Sequence, residues 1–262
     1  MRADKRFMII TDLEGVAGVD SFSQTRSAAE AAKLPGMIQL TKEVNACVEG
    51  LLSVFPGAAV DVWDGHGSGG MIAADLKYGN YIRPGVRPYM EMAGYDAMLF
   101  VGQHAMAGTV NAPLCHTYSS LTIAYYRWNG IFVGEFGART IVAGLQGVPV
   151  IYLAGDDKAA LEAQMMVPEI VTTAVKRGLG WEAAEHLTSE EACRRVREGA
   201  AEAARRFAAA AFTPVQVVKE PFVLEVRYIN PVNRERVLKP GLHVIDERTV
   251  QYRTSDFHRL PV

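Results

Sequence analysis

The sequence predicts an α/β fold, in which a three-layer, mostly parallel sheet carries helices on both faces and is followed by a smaller C-terminal α+β domain. Four short apolar runs predict buried strands, because each is rich in β-branched or aromatic residues and ends in turn residues. These runs are residues 7–11, 58–63, 97–102 and 149–154. Helical patterns lie between or after them, and strands that alternate with helices are typical of a mostly parallel sheet.

Three of the helical patterns fall within the first part of the chain. Residues 36–54 repeat apolar side chains at helical spacing, which predicts a helix with one buried side. Residues 135–145 predict a second helix, which follows a short strand and a glycine-bounded turn. Residues 168–179 predict a third helix, closed by glycines at its end.

The last part of the chain has a different pattern. Thr188 and Glu191 have the spacing of a capping box, and the Ala/Arg/Glu-rich run after them predicts a helix that reaches residue 211. Residues 222–229 and 243–252 then predict strands, because apolar and polar side chains alternate there. We therefore expect two domains, an α/β domain at 1–187 and a smaller α+β domain at 188–262.

Composition excludes several classes of protein. The 262 residues include 27 Lys+Arg and 29 Asp+Glu, a formal net charge of −2, which argues against a nucleic-acid partner. No apolar run approaches the roughly 18 residues that a membrane helix needs. Cys47, Cys115 and Cys193 lie too far apart for a CxxC metal site or a disulfide framework. We expect a soluble cytoplasmic protein without a membrane partner.

Polar side chains follow three of the predicted strands. Asp12 and Glu14 come directly after the first strand, His66 after the second and His104 after the third. The carboxyl ends of parallel strands meet at one edge of a sheet, so these side chains should lie together. Carboxylates and imidazoles suit Zn²⁺, Mn²⁺ or Co²⁺. A single zinc ion needs about three protein ligands, and the sequence offers four. The extra ligand predicts two metals that share a carboxylate and activate a water molecule.

Two further residues are candidates for the same site. Glu135 begins a helix after a glycine-bounded turn, where it could bind a metal or complement the helix dipole. His116 lies in a polar loop beyond His104, and a loop histidine beside a metal site is suited to carry a proton at neutral pH. Spacing alone leaves both roles of Glu135 open.

These residues, taken in order, resemble the zinc-dependent D-aminopeptidase family, the DppA-type metallopeptidases. Its first motif is SxDxEG, and this chain has Asp12-Leu13-Glu14-Gly15, with Ile10 at the position of the family's serine. The similarity continues through Asp64-Gly65-His66, Gly102-Gln103-His104-Ala105, His116, Asn129-Gly130, Gly134-Glu135-Phe136-Gly137, Gly155-Asp156-Asp157 and Ala174-Val175-Lys176. It spans most of residues 7–180 and becomes weaker in the C-terminal part.

The resemblance implies a site with two Zn²⁺ per subunit, whose ligands are Asp12, Glu14, His66, His104 and Glu135. It implies an active-site role for His116, and Asp64 is expected to orient His66. The implied activity is hydrolysis of the N-terminal residue, of D configuration, from short peptides or amino-acid amides through a zinc-activated water. Family members form ring-shaped homo-decamers, so the resemblance also implies a homo-oligomer that admits only small peptides.

Two alternatives to this hydrolase come from other classes of protein. Asp12-Leu13-Glu14-Gly15 is similar to the DxDG start of haloacid-dehalogenase-like phosphatases, in which Asp12 would be a covalent nucleophile and Mg²⁺ the cofactor. That scheme assigns no chemical role to His66, His104 or His116. The second alternative is a non-catalytic assembly subunit that binds a metal or a peptide without turnover.

Overall fold

A computed structural model describes residues 5–26, 30–232 and 241–262 of the chain. The helices are α1 (Glu30–Val54), α2 (Glu135–Leu145), α3 (Asp157–Met166) and α4 (Ser189–Ala208). The strands are β1 (Arg6–Thr11), β2 (Ala59–Asp64), β3 (Asn80–Ile82), β4 (Ala97–Gln103), β5 (Ile123–Trp128), β6 (Ile131–Val133), β7 (Val150–Asp156), β8 (Val171–Gly180), β9 (Ala183–His186), β10 (Phe222–Tyr228), β11 (Leu242–Val244) and β12 (Thr249–Thr254).

The larger sheet has the strand order β3-β2-β1-β4-β7-β8-β9. Its neighbouring strands are parallel except β9, which runs antiparallel to β8. Side chains of β1 point alternately to two cores, with Phe7 and Ile9 in one and Met8 and Ile10 in the other. A strand buried on both faces reads as a continuous apolar run, which explains why the sequence predicted it.

Helices cover both faces of this sheet and confirm the predicted fold class. The buried sides of α1 and α4 share one core with Phe7 and Ile9. The buried sides of α2 and α3 share the other core with Met8 and Ile10. A separate antiparallel sheet, in the order β11-β12-β10-β5-β6, contributes to this second core. Within the described residues, no helix combines the length and the apolar character needed to cross a bilayer.

The division of the chain at residue 188 stays a prediction. Elements on the two sides of residue 188 pack against each other, because α4 lies against α1 on one face of the larger sheet. The antiparallel sheet in turn takes β5 and β6 from the first part of the chain.

The predicted helix at 168–179 is wrong, because this segment forms β8 (Val171–Gly180). Three consecutive β-branched residues open the strand, Val171, Thr172 and Thr173, and such residues favour a pleated, half-buried surface. The strand pairs in parallel with β7. The helix that precedes it is α3, whose first turn is capped by Asp156 through the backbone N–H groups of residues 158 and 159.

The predicted strand at 243–252 is two strands, β11 and β12, which pair with each other. A turn separates them, in which the Asp246 carboxylate accepts a hydrogen bond from Arg248 N at 2.7 Å. Aspartate side chains favour turns by accepting such backbone hydrogen bonds, and this local signal ends the first strand. The predicted helix at 36–54 begins earlier, at Glu30, with Pro35 inside it.

Candidate metal centre

The candidate site lies where the carboxyl ends of β1, β2 and β4 meet. Asp12 follows β1 and donates its backbone N–H to Val101 O of β4 at 2.9 Å. Gly102 has φ +80°, and any Cβ there would collide with the Asp12 carbonyl oxygen. A glycine is therefore required where β4 comes this close to the turn after β1. The close approach places Asp12 beside the His104 loop, as the sequence predicted.

Asp12 lies in the middle of the site and has one carboxylate oxygen on each side. Its Oδ1 is 3.2 Å from His66 Nδ1, and its Oδ2 is 3.3 Å from His104 Nε2. Glu14 Oε2 is 3.1 Å from His66 Nδ1 on the first side. Glu135 Oε1 is 3.5 Å from His104 Nε2 on the second side. Two half-sites therefore meet at the Asp12 carboxylate.

His116 lies beside the second half-site. Its ring stacks on that of His104, with centroids 4.0 Å apart and planes 11° from parallel. His116 Nε2 is 3.8 Å from Glu135 Oε1, and Nδ1 is 2.8 Å from Leu114 O. The structure thus brings together all six residues that the sequence singled out, including Glu135, which spacing alone left open.

The histidine tautomers follow from backbone carbonyls. His66 Nε2 lies 3.1 Å from Thr25 O, and His104 Nδ1 lies 2.9 Å from Ala105 O. A carbonyl oxygen only accepts hydrogen bonds, so each ring must carry a hydrogen on that nitrogen. In the neutral ring, the other nitrogen then directs a lone pair at the carboxylates. Imidazoles that bind metals are commonly held in this way by an outer acceptor.

Two buried atoms of the cluster lack a hydrogen-bond partner among the described residues, Glu14 Oε2 and His104 Nε2. Buried polar atoms are nearly always paired, so this pair indicates a missing positive partner. Two groups of three residues share His104: one is Asp12, Glu14 and His104, and the other is His104, His116 and Glu135. Within each group, the potential ligand atoms lie within 4.8 Å of one another. Lone pairs and carboxylates that converge at this spacing fit divalent cations.

The electrostatics also call for positive charge at this position. Burial alone would lower the pKa of His66, but the neighbouring Glu14 and Asp12 carboxylates raise it to about 11. Burial opposes ionisation of Asp12 too, yet His104 and His66 hold its pKa well below the usual range. Either protons on the imidazoles or bound cations must neutralise the buried carboxylates.

Arg139 holds Glu135 in place and was not found from the sequence. Arg139 Nη2 donates to Glu135 Oε2 at 2.8 Å, and Tyr118 N donates to Glu135 Oε1 at 2.9 Å. Burial would raise the pKa of Glu135, but Arg139 and then His104 lower it to about 2. The guanidinium lies over three rings, those of Trp63, Tyr89 and Tyr118. The i,i+4 spacing of Glu135 and Arg139 was the available signal.

Lys176 of β8 is a second buried cation, for which the sequence predicted no role. Its Nζ donates to the backbone carbonyls of Glu14 and Val19, so it braces the turn that carries Glu14. Burial lowers the pKa of Lys176 to about 8, against the opposing effect of Asp156. A helix at 168–179 would not have placed this side chain under the site.

Asp64 does not hydrogen-bond to His66, contrary to expectation. Its carboxylate accepts hydrogen bonds from Gly70 N at 2.8 Å and from Met71 N at 3.1 Å. Asp64 therefore orders the glycine-rich loop that follows His66. The Thr25 carbonyl takes the role of orienting the ring.

A cavity of about 430 Å³ opens above the centre. Asp12, Glu14, His66, His116 and Glu135 line its floor. The rest of its lining includes the polar side chains of Ser68, Ser119, Ser120 and Arg26, with Tyr118 and Leu121 beside them. This volume and lining suit a small polar ligand.

Comparisons with known proteins agree with this geometry. The sequence profile of the D-aminopeptidase family matches residues 6–261. A D-aminopeptidase of Bacillus subtilis (strain 168) is 28% identical over 258 residues, which cover 94% of this chain and 90% of the relative. A solved structure, described as the Zn-dependent D-aminopeptidase DppA from Bacillus subtilis, a self-compartmentalizing protease, superposes with a TM-score of 0.86 at 26% identity, covering 96% of this chain and 92% of that one. The chain belongs to the D-aminopeptidase family of peptidases.

Proposed function

We propose that this peptidase is a two-zinc aminopeptidase, which removes an N-terminal residue of D configuration from short peptides or amino-acid amides. The observation that carries the proposal is the convergence of imidazole lone pairs and carboxylate oxygens on both sides of Asp12. Zinc is the metal named for the solved relative, and D configuration comes from the family and from both relatives. Mixed imidazole and carboxylate ligands are well suited to Zn²⁺.

The two half-sites suggest how five residues would hold two metals. Glu14 and His66 would hold one ion and His104 and Glu135 the other, and Asp12, which has a carboxylate oxygen near each histidine, would contribute to both. Glu135 would bind through Oε1 alone, because Arg139 occupies its Oε2. When bound, two zinc ions supply an activated water and polarise the scissile carbonyl.

His116 is the residue we expect to move protons. Its Nδ1–H is held by the Leu114 carbonyl, so Nε2 is the nitrogen left to accept and release a proton. His116 also lines the cavity, where it can reach the leaving amine of a bound peptide. A direct nucleophilic role is less suited to it, since an activated water is the attacking group.

Assembly and location are part of the proposal. The solved relative is described as self-compartmentalizing, which supports a ring-shaped homo-oligomer, a decamer by resemblance, that would exclude folded proteins. Its substrates would then be small peptides. The free cysteines Cys47, Cys115 and Cys193 fit a reducing cytoplasm.

Hydrolysis of D- and L-alanyl p-nitroanilide tests the proposal, before and after chelation. We expect D-selective cleavage that chelation abolishes and zinc restores. Hydrolysis of p-nitrophenyl phosphate with Mg²⁺, and no cleavage of either anilide, would instead support the phosphatase alternative. Zinc bound at both half-sites without cleavage of any aminoacyl substrate would support the non-catalytic alternative.

A further inference from the structure

The cavity above the centre has acidic residues at its floor and one basic group at its rim, Arg26. Asp12, Glu14 and Glu135 line the floor, where they belong to the proposed zinc ligands. Among residues whose side chains the structure describes, Arg26 has no acidic partner within ion-pair distance. Arg139 also lines the cavity, but its guanidinium is paired with Glu135 and enclosed by aromatic rings.

Arg26 is held in position by two contacts. Its guanidinium carbon lies 3.6 Å from the centroid of the Phe22 ring, and Nη2 donates a hydrogen bond to Ser120 Oγ. The Phe22 ring packs in turn on Trp181, with centroids 5.4 Å apart. A guanidinium has five N–H donors in a planar fork, so most of them stay available to a ligand. Stacking on a fixed ring reduces the entropy that binding would cost.

Phe22 also connects Arg26 to the reacting end of the cavity. The Phe22 and His116 rings lie 6.0 Å apart, so a single aromatic ring separates the guanidinium from the proton carrier. The residue before Arg26, Thr25, accepts the hydrogen bond from His66. Arg26 therefore follows directly, along the chain, the residue that holds the His66 ring, and it lines the same cavity as the metal centre.

We propose that Arg26 determines substrate specificity by binding the C-terminal carboxylate of a dipeptide whose scissile carbonyl lies at the metal centre. This inference rests on the proposed function. In a dipeptide the free carboxylate lies one residue beyond the scissile bond, and guanidinium is the side chain best matched to a carboxylate. The Ser119 and Ser120 hydroxyls line the same wall and can support the same group.

The test compares D-alanylglycine with D-alanylglycinamide, which differ only in the C-terminal charge. The variants are Arg26→Gln, which removes the charge, and Arg26→Lys, which keeps it without the planar fork. The control is Arg205→Gln, because Arg205 forms an ion pair with exposed Glu202 on α4, away from the cavity. The measured quantity is the ratio of kcat/KM for the free acid to that for the amide, which does not depend on the active fraction of each preparation.

We expect Arg26→Gln to lower this ratio about ten- to a hundredfold, mainly through KM for the free acid, because one charged hydrogen-bonded contact is lost. Arg26→Lys should lower it less, and Arg205→Gln should leave it unchanged. An unchanged ratio in Arg26→Gln would overturn the inference while leaving the proposed aminopeptidase intact. Cleavage of neither compound by the wild-type enzyme would overturn the proposed function itself, and this inference with it.

Discussion

Asp12 contributes an oxygen to each half of the candidate centre, so its substitution should affect both metals. We predict that Asp12→Asn lowers zinc binding at both positions, whereas Glu14→Gln weakens only the position shared with His66. Elemental analysis after dialysis at limiting zinc should give about no zinc per chain for the first variant and about one for the second. Circular dichroism serves as the folding control. Two zinc ions retained by Asp12→Asn would contradict the bridging role.

His116 should be separable from the metal ligands. We predict that His116→Ala keeps its zinc but loses about 10²- to 10⁴-fold in kcat, the usual contribution of a positioned acid or base. Paired measurements of zinc content and of D-alanyl p-nitroanilide hydrolysis check this. Loss of one zinc ion in His116→Ala would make His116 a ligand, as its proximity to His104 and Glu135 would allow.

At the scale of single residues, the sequence identified side chains whose role follows from local position. Asp12, Glu14, His66 and His104 stand at strand ends, and strand ends are visible in the apolar pattern. No role was predicted for Arg139, Lys176 or Arg26, because a charged residue is expected to face solvent unless the fold shows otherwise. Lys176 and Arg26 hydrogen-bond to Glu14 and Ser120, which lie far away in the sequence. The surroundings of Arg139 depend on how α2 is buried.

The element α1 carries a buried acid, Glu43, whose titration should change stability. Its Oε1 accepts hydrogen bonds from Ala17 N at 3.0 Å and from Gln39 Nε2 at 2.9 Å. Its Oε2 has no partner among the described residues. Burial raises the pKa of Glu43 from 4.5 to about 7. The folded protein therefore keeps a proton that the unfolded chain releases between these two pKa values.

Because the folded state binds more protons in this range, the Glu43 contribution to stability falls as pH rises from about 4.5 to 7. We predict that Glu43→Gln, which keeps the Oε1 acceptor, gains stability relative to wild type by roughly 3 kcal/mol between pH 5 and pH 8. Urea unfolding of both proteins at the two pH values, at equal metal content, measures the difference. A difference that does not change with pH would contradict a protonated Glu43.

At the scale of elements, most strands and helices were predicted but β8 was not. Residues Ala174, Val175 and Lys176 suit a helix or a strand equally, and a short apolar run does not decide between them by periodicity. The segment forms a strand because it can pair in parallel with the edge of β7. The register of β8 then places Lys176 against the turn that carries Glu14. An error in one element thus concealed one of the supports of the site.

For the molecule as a whole, metal binding should couple to folding. Asp12, Glu14 and Glu135 are buried close together; Arg139 pairs with Glu135, and without bound cations the charges of Asp12 and Glu14 must be balanced by protons on His66 and His104. We predict that chelation lowers Tm and that zinc restores it, since a ligand at about 1,000 times its Kd stabilises by about 4 kcal/mol. Differential scanning calorimetry with added zinc or with added magnesium is the measurement. Recovery with magnesium alone would contradict a zinc centre.

The layer of the fold that the sequence did not resolve is the antiparallel sheet. Its strands come from residues 123–133 and from residues 222–254, so the pairing of β5 with β10 joins segments that no local pattern connects. The parallel sheet was predictable because each of its central strands is apolar throughout and is followed by its own helix or turn. Long-range pairing of half-exposed strands leaves only a weak signal in the sequence.

The proposed centre has one zinc ion on each side of the Asp12 carboxylate. A crystal structure with anomalous difference maps recorded above and below the zinc absorption edge tests it most directly. We expect two zinc peaks about 3.5–4 Å apart, one beside Glu14 and His66 and the other beside His104 and Glu135. A single peak, or a magnesium ion beside an Asp12 carboxylate that bridges nothing, would contradict it.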